Sequence, residues 1–194
     1  MSTAKRDEIV DHAFKVLYKE GFHATGVDRL LEGTGISKRT LYKYFRSREE
    51  LILAAISHYE MLTFTALEAE LSKRCSDPIY KVLALFDLRE EALARGDYSG
   101  CFATNARLEY DGKHREIEAA SSSFLGKLEE LLVELCREAK FENPELLARQ
   151  IAVILEGTIV LGQCRRDTSV VVAAREIVRV LLRTTPKHGD NSAS

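Results

Sequence analysis

Thr25-Gly-Val-Asp-Arg-Leu-Leu-Glu-Gly-Thr-Gly-Ile-Ser-Lys-Arg-Thr-Leu-Tyr-Lys-Tyr-Phe-Arg-Ser-Arg-Glu-Glu50 decides the fold. Its caps and glycines cut the stretch into two short helices joined at a glycine hinge, with a further helix starting at its end. Thr25 is placed to cap a helix whose third residue is Asp28, a carboxylate suited to the positive end of the helix dipole, and Val27, Leu30 and Leu31 then face inward. Gly35 supplies the positive φ that ends this helix, and Ser37 restarts the chain as the next N-cap. Ile36, just before that cap, is spaced to pack on Leu41 as a hydrophobic staple. Ser47-Arg48-Glu49-Glu50 reads as a capping box, with the serine accepting from the Glu50 amide and the glutamate reaching back. The middle helix therefore covers only residues 38–45.

Within that helix Leu41 and Phe45 are four apart and form the buried edge, which leaves Lys38, Arg39, Tyr42, Lys43 and Arg46 pointing elsewhere. Residues 37–48 hold five Lys or Arg and no Asp or Glu, whereas the whole chain has 28 basic against 30 acidic residues. Positive charge is thus local, as expected of a module that neutralises phosphates on one face. Tyr42 and Tyr44 fit that use, since a phenol donates to a phosphate oxygen while its ring packs on a sugar. A solvated basic helix would explain the charge alone, but not three caps at helix-turn-helix spacing.

At 194 residues and 45% apolar content the chain can bury a proper core as one ordinary domain or two small ones. The N-terminus has no apolar leader, and no stretch reaches the roughly 18 apolar residues of a membrane span, so a soluble, cytoplasmic protein is expected. Cysteines stand at 75, 101, 136 and 164 without a C-x-x-C pair, which suggests neither a zinc site nor a redox dithiol; no metal or other cofactor is expected. The five histidines, at 12, 23, 58, 114 and 188, are scattered, and no metal-binding, nucleophile-elbow or phosphate-loop motif occurs, so the chain does not read as an enzyme.

Only three prolines interrupt long stretches in which apolar residues recur at three and four, with no period-two run, and the fold reads as all-α with about nine helices. The first covers residues 4–20, with Ile9, Ala13 and Leu17 on one face. After the two short helices a long fourth spans 48–73. Asp77-Pro78 opens the fifth, which stops near Gly96. A short sixth covers 101–110, a long seventh 114–139, and Asn143-Pro144 opens an eighth that reaches Arg165. The ninth spans 169–184. The expected division is a helix-turn-helix head over residues 1–46, a helical effector-binding and dimerisation body over 47–185, and a disordered tail over 186–194.

With Ala13-Phe14, Gly21-Phe22-His23-Ala24-Thr25, Gly35 through Phe45 and Arg48-Glu49-Glu50-Leu51, the chain resembles the TetR family of bacterial transcriptional regulators over about a quarter of its length. Leu31 and Thr34 stand where the family commonly has alanine, and Tyr44 where many members have histidine. A further segment, Gly100-Cys101-Phe102-Ala103-Thr104-Asn105-Ala106, is similar to a stretch of one branch. The resemblance implies a regulator, most simply a repressor, that binds a palindromic operator in double-stranded DNA as a homodimer and is released by a small-molecule effector. Position by position it puts Thr25, Ser37, Thr40, Tyr42 and Arg48 on phosphate, and Lys38, Arg39, Lys43 and Tyr44 nearest base edges. It also implies a pocket lined by the fifth to eighth helices, where Phe86, Phe102, Asn105, Glu109, Phe124, Glu156 and Gln163 are the candidate ligand contacts. Glu156 reads either as a ligand contact or as a carboxylate at a solvated edge or paired with an arginine; Asn105 either holds a ligand group or satisfies a buried carbonyl. Cys101, at an expected helix start, reads either as an oxidant or electrophile sensor or as a small buried hydrophobe.

The residues themselves point to a dimer. Ile151 to Gly162 is apolar on nearly every side, and the ninth helix repeats the pattern with Val170, Val171, Val172, Ile177, Val178, Leu181 and Leu182. A helix wetted on one face would carry a polar stripe there. Two copies of these helices would form a four-helix isologous interface, with Gly157 and Gly162 allowing close approach; the alternative is the core of a monomer. Two other functional classes remain, a small enzyme and a helical interaction module that does not bind DNA, and steep salt dependence of binding separates a DNA reader from both.

Overall fold

A computed structural model describes residues 3–74, 76–96 and 98–189. Among these the chain forms nine α-helices: α1 (Thr3–Glu20), α2 (Val27–Leu31), α3 (Lys38–Tyr44), α4 (Arg48–Arg74), α5 (Pro78–Ala94), α6 (Phe102–Glu109), α7 (Arg115–Glu138), α8 (Pro144–Arg165) and α9 (Ser169–Thr184). The fold is all-α with an N-terminal helix-turn-helix, and the boundaries follow local chemistry. Asp77 caps α5 by accepting from the Ile79 amide at 2.7 Å, with Pro78 in the first turn, and Asn143 accepts from Leu146 at 3.1 Å ahead of Pro144. None of the helices is long and apolar enough to cross a membrane among the described residues.

The chain divides into two compact units, one of residues 1–65 with 101–125 and one of 66–100 with 126–194. The cut by compactness thus falls elsewhere than at residue 46. The first unit combines α1, α2 and α3 with the start of α4, with α6 and with the start of α7. Its core takes Ile9, Ala13 and Leu17 from α1, Leu41 and Phe45 from the end of α3, Leu51 and Ile52 from α4, and Phe102 and Ala106 from α6. Phe102 is the centre of an aromatic cluster, with ring centroids 4.8 Å from Phe22, 5.1 Å from Phe14 and 5.5 Å from Tyr59. Such edge-on and tilted pairs add to the apolar burial that holds α6 in this unit.

In the second unit α5, α8 and α9 pack together. Val171, Ala174, Val178 and Leu182 make the buried stripe of α9, and Leu147, Ile151, Leu155 and Ile159 that of α8. Gly162 lets α8 approach α5: a Cβ there would lie 2.9 Å from Leu93. This glycine, expected to serve contact between copies, is used inside the unit, whereas a Cβ on Gly157 would meet nothing within 4 Å.

The tail does not begin at Pro186. Phe141 and Lys187 form an antiparallel bridge, Glu142 N donates to Pro186 O at 3.1 Å, His188 N donates to Lys140 O at 2.8 Å, and the Lys187 ammonium sits over the buried Phe141 ring. Residues 186–189 are pinned by these bonds to the turn before α8, and the rest of the expected tail, 190–194, lies outside the described residues.

Candidate nucleic-acid interface

α2 and α3 are held by hydrogen bonds that their own sequence supplies. Ser37 accepts from the Thr40 amide at 3.1 Å, as an N-cap should, and its hydroxyl lies 3.0 Å from that of Thr40. Gly35 has φ +66° and Ile36 and Leu41 are buried in one core, so the hinge and its staple form as expected. The helix before the hinge is shorter than expected. It stops at Leu31, because Thr34 donates to Leu31 O at 2.7 Å, capturing one of its terminal carbonyls, while Gly33 already turns the chain at φ +76°.

Thr25 corrects a second expectation. The N-cap of α2 is Gly26, and the Thr25 side chain is 0% exposed, donating backwards to Gly21 O at 2.7 Å. Once its hydroxyl is buried it needs a partner, and the carbonyl left unpaired at the end of α1 supplies one. Its side chain therefore fixes the 21–25 loop and is not on the surface where a phosphate contact was expected. The capping box at the start of α4 forms with one change: Glu50 N donates to Ser47 Oγ at 3.1 Å, but the Glu50 carboxylate accepts from Arg46 N, at 2.6 Å.

α3 turns Leu41 and Phe45 inward and leaves Lys38, Arg39, Tyr42 and Lys43 exposed, with Tyr42 at 50%. Arg46, just past the helix, is more exposed still, its side chain at 94%. Lys38 lies 2.8 Å from Asp28 of α2, and that hydrogen bond raises the ammonium's pKa above its usual value. Arg29 is held by Glu20 and Glu32, which push its pKa up further, so the cations of α2 and the start of α3 already have acidic partners. Tyr44, expected near base edges, is half-buried against the core. Arg48 is also turned inward, its guanidinium donating to Phe22 O, to Thr25 O at 3.0 Å and to the Tyr110 hydroxyl at 2.6 Å. Its expected place on phosphate is thus taken by contacts inside the protein. Arg6, which local pattern did not single out, stacks over the Phe45 ring at 4.9 Å.

The candidate ligand contacts fall in both compact units. Phe102 and Phe124 both pack at a tilt on Tyr59, with centroids at 5.5 and 5.0 Å, and Phe102 lies in the first unit's core. Asn105 is half-buried on α6, Phe86 is in the second unit's core, and Glu156 is half-buried on α8. Glu109 and Gln163 hold backbone: Glu109 accepts from the amides of Phe22 and His23, and Gln163 Nε2 donates to Ser99 O at 2.8 Å. A Cβ on Gly100 would lie 2.6 Å from that glutamine, and with φ +87° only glycine suits the position. Cys101 is 2% exposed and accepts from the Tyr59 hydroxyl at 3.7 Å, without capping α6. The described residues hold no group of three or more His, Cys, Asp or Glu that could bind a metal ion.

Residues 9–55 match the model of the tetR family of bacterial regulatory proteins. The transcriptional repressor ComR of Escherichia coli is 37% identical over 54 residues, 28% of this chain and 26% of its own. An uncharacterised helix-turn-helix regulator of Lactococcus lactis is 22% identical over 186 residues, 90% of this chain and 91% of its own. The crystal structure of a TetR-family regulator from Cytophaga hutchinsonii superposes with a TM-score of 0.86 at 18% identity, covering 95% of this chain and 97% of that one. Residues 9–55 thus carry the helix-turn-helix of the tetR family of bacterial regulatory proteins, and the fold of the chain is that of the solved TetR-family regulators.

Proposed function

We propose that the chain is a ligand-responsive repressor that binds a palindromic operator as a homodimer and leaves it when a small-molecule effector is bound. The observation that carries this reading is the outward face of α3, where Lys38, Arg39, Tyr42 and Lys43 are exposed and no carboxylate lies between Ser37 and Arg48. In a helix-turn-helix the second helix enters the major groove with its N-terminal residues at base edges, and hydroxyls and helix starts hold phosphate. Lys38, Arg39 and Lys43 are thereby assigned to base edges, and Ser37, Thr40 and Tyr42 to phosphate. Thr25 and Arg48 support these contacts from inside by fixing the loop between α1 and α2.

The dimer reading rests on α8 and α9, where Val153 at 68%, Val160, Leu161, Val172, Ile177 at 57% and Val180 are exposed. Water does not favour so large an apolar face, and a second copy would cover it. Two heads related by a two-fold axis demand half-sites about one helical turn, roughly 34 Å, apart. An effector that prefers a different head spacing then releases DNA by population shift, through a coupling of typically about 1–3 kcal/mol. Phe86, Phe102, Asn105, Phe124 and Glu156 remain the candidates for effector contact. The Cys101 thiol acts as a buried apolar group; its labelling by iodoacetamide in the native protein, alongside exposed Cys164, would instead favour a sensor. A protein that acts on bacterial DNA works in the cytoplasm, and that is the localisation this reading carries.

The test is a gel shift on the DNA upstream of the protein's own coding sequence, followed by genomic selection, comparing wild type with Tyr42→Ala and Lys43→Ala at two salt concentrations. Competitor-resistant, salt-sensitive binding weakened by both substitutions is expected. The absence of any specific site would overturn the reading.

A further inference from the structure

The head is gripped by a residue far along the chain. Both carboxylate oxygens of Glu109, at the C-terminal end of α6, accept from the loop that leads into α2: Oε1 from Phe22 N at 3.1 Å and Oε2 from His23 N at 2.7 Å. The carboxylate lies over Gly21, 3.4 Å from where a Cβ would stand. The backbone returns the contact, with Glu109 O 2.7 Å from His23 Nε2 and accepting from Lys113 Nζ at 2.9 Å. A second strap runs beside it, from Arg48 to the Tyr110 hydroxyl on one side and to the carbonyls of Phe22 and Thr25 on the other. All of these residues lie in the first compact unit.

We propose that Glu109 is a positioning residue for operator recognition, so that the DNA-reading module extends to the end of α6 and is not complete at residue 46. The inference rests on the reading of α3 as the operator-binding helix. Two amides that each donate to a different oxygen of one carboxylate hold the loop at two points, and so set the height and the tilt at which it leads into α2 and, through the hinge, α3. No other residue of α6 can do this with both oxygens. An amide in its place accepts one bond and turns its own donors toward the second N–H. Glu109→Gln therefore frees one end of the loop without changing any residue that faces DNA.

The experiment measures specific and non-specific DNA binding by the intact protein across a salt series, with circular dichroism melting and amide hydrogen exchange on the same samples. Glu109→Gln is expected to speed exchange at Phe22 and His23, weaken operator binding about tenfold, and leave non-specific affinity and the salt slope unchanged, since no phosphate contact is lost. A contribution to stability alone would not change the ratio of specific to non-specific affinity in folded protein. Tyr110→Phe removes only the hydroxyl bound by Arg48 and is expected to weaken operator binding about threefold; it provides the test if Glu109→Gln does not fold. Folded variants with wild-type operator affinity would overturn the proposal alone. Wild-type protein without any specific DNA site would overturn the reading beneath it and the proposal together.

Discussion

The outward face of α3 and the outward faces of α8 and α9 are all open to solvent, but for opposite chemical reasons. On α3 the exposed groups are Lys38, Arg39, Tyr42 and Lys43, whose charge is at home in water and gains by meeting a polyanion. On α8 and α9 they are Val153, Val160, Ile177 and Val180, which water does not reward and only another apolar surface covers. On the proposed reading the first surface meets DNA and the second a copy of the chain, and the chemical difference tells the two apart. Salt should weaken the first association and leave the second nearly untouched.

Breaking the apolar face should have the largest effect. Val153→Asp with Ile177→Asp places two carboxylates where they would be buried unpaired, and sedimentation equilibrium should show monomers in place of dimers, with operator affinity lower by about a hundredfold. Lys43→Ala acts on the other face: operator affinity should fall about five- to tenfold and discrimination against base changes at the position it reads should relax, as measured by fluorescence anisotropy on single-base operator variants. Thr25→Val then separates support from contact. It removes a buried hydroxyl bonded to Gly21 O, so thermal melting should report a loss of about 1 kcal/mol with the salt slope unchanged. Asp28→Asn should give the smallest change and the opposite sign. It releases Lys38 from its carboxylate, and binding at low salt should tighten about two- to threefold, mostly on non-specific DNA.

The same two faces show what the sequence makes legible. Caps, first-turn prolines and the i,i+3/i+4 apolar pattern act within one helical turn, and Ser37, Asp77-Pro78 and Asn143-Pro144 set helix starts where their spacing says they should. The apolar surplus on α8 and α9 is equally visible in the sequence, because more apolar positions occur than one buried stripe can use. The role of Thr25 is not legible in the sequence, because a threonine hydroxyl can bond forward to a helix amide or backward to a carbonyl, and only the fold reveals that Gly21 O accepts it. The family resemblance implies a phosphate contact for Arg48 from its position in the motif, while its partners Phe22, Thr25 and Tyr110 come together only in the folded core. Glu109 lies 86 residues from His23, and no local pattern links a helix end to a loop so distant.

The most direct test of the central claim is the stoichiometry and footprint of the wild-type protein on its selected DNA site. Two chains per site are expected, with two protected major-groove segments about ten base pairs apart on one face of the duplex. Binding by single chains, or protection of one segment without a symmetric second, would contradict a dimer whose two α3 helices read one operator.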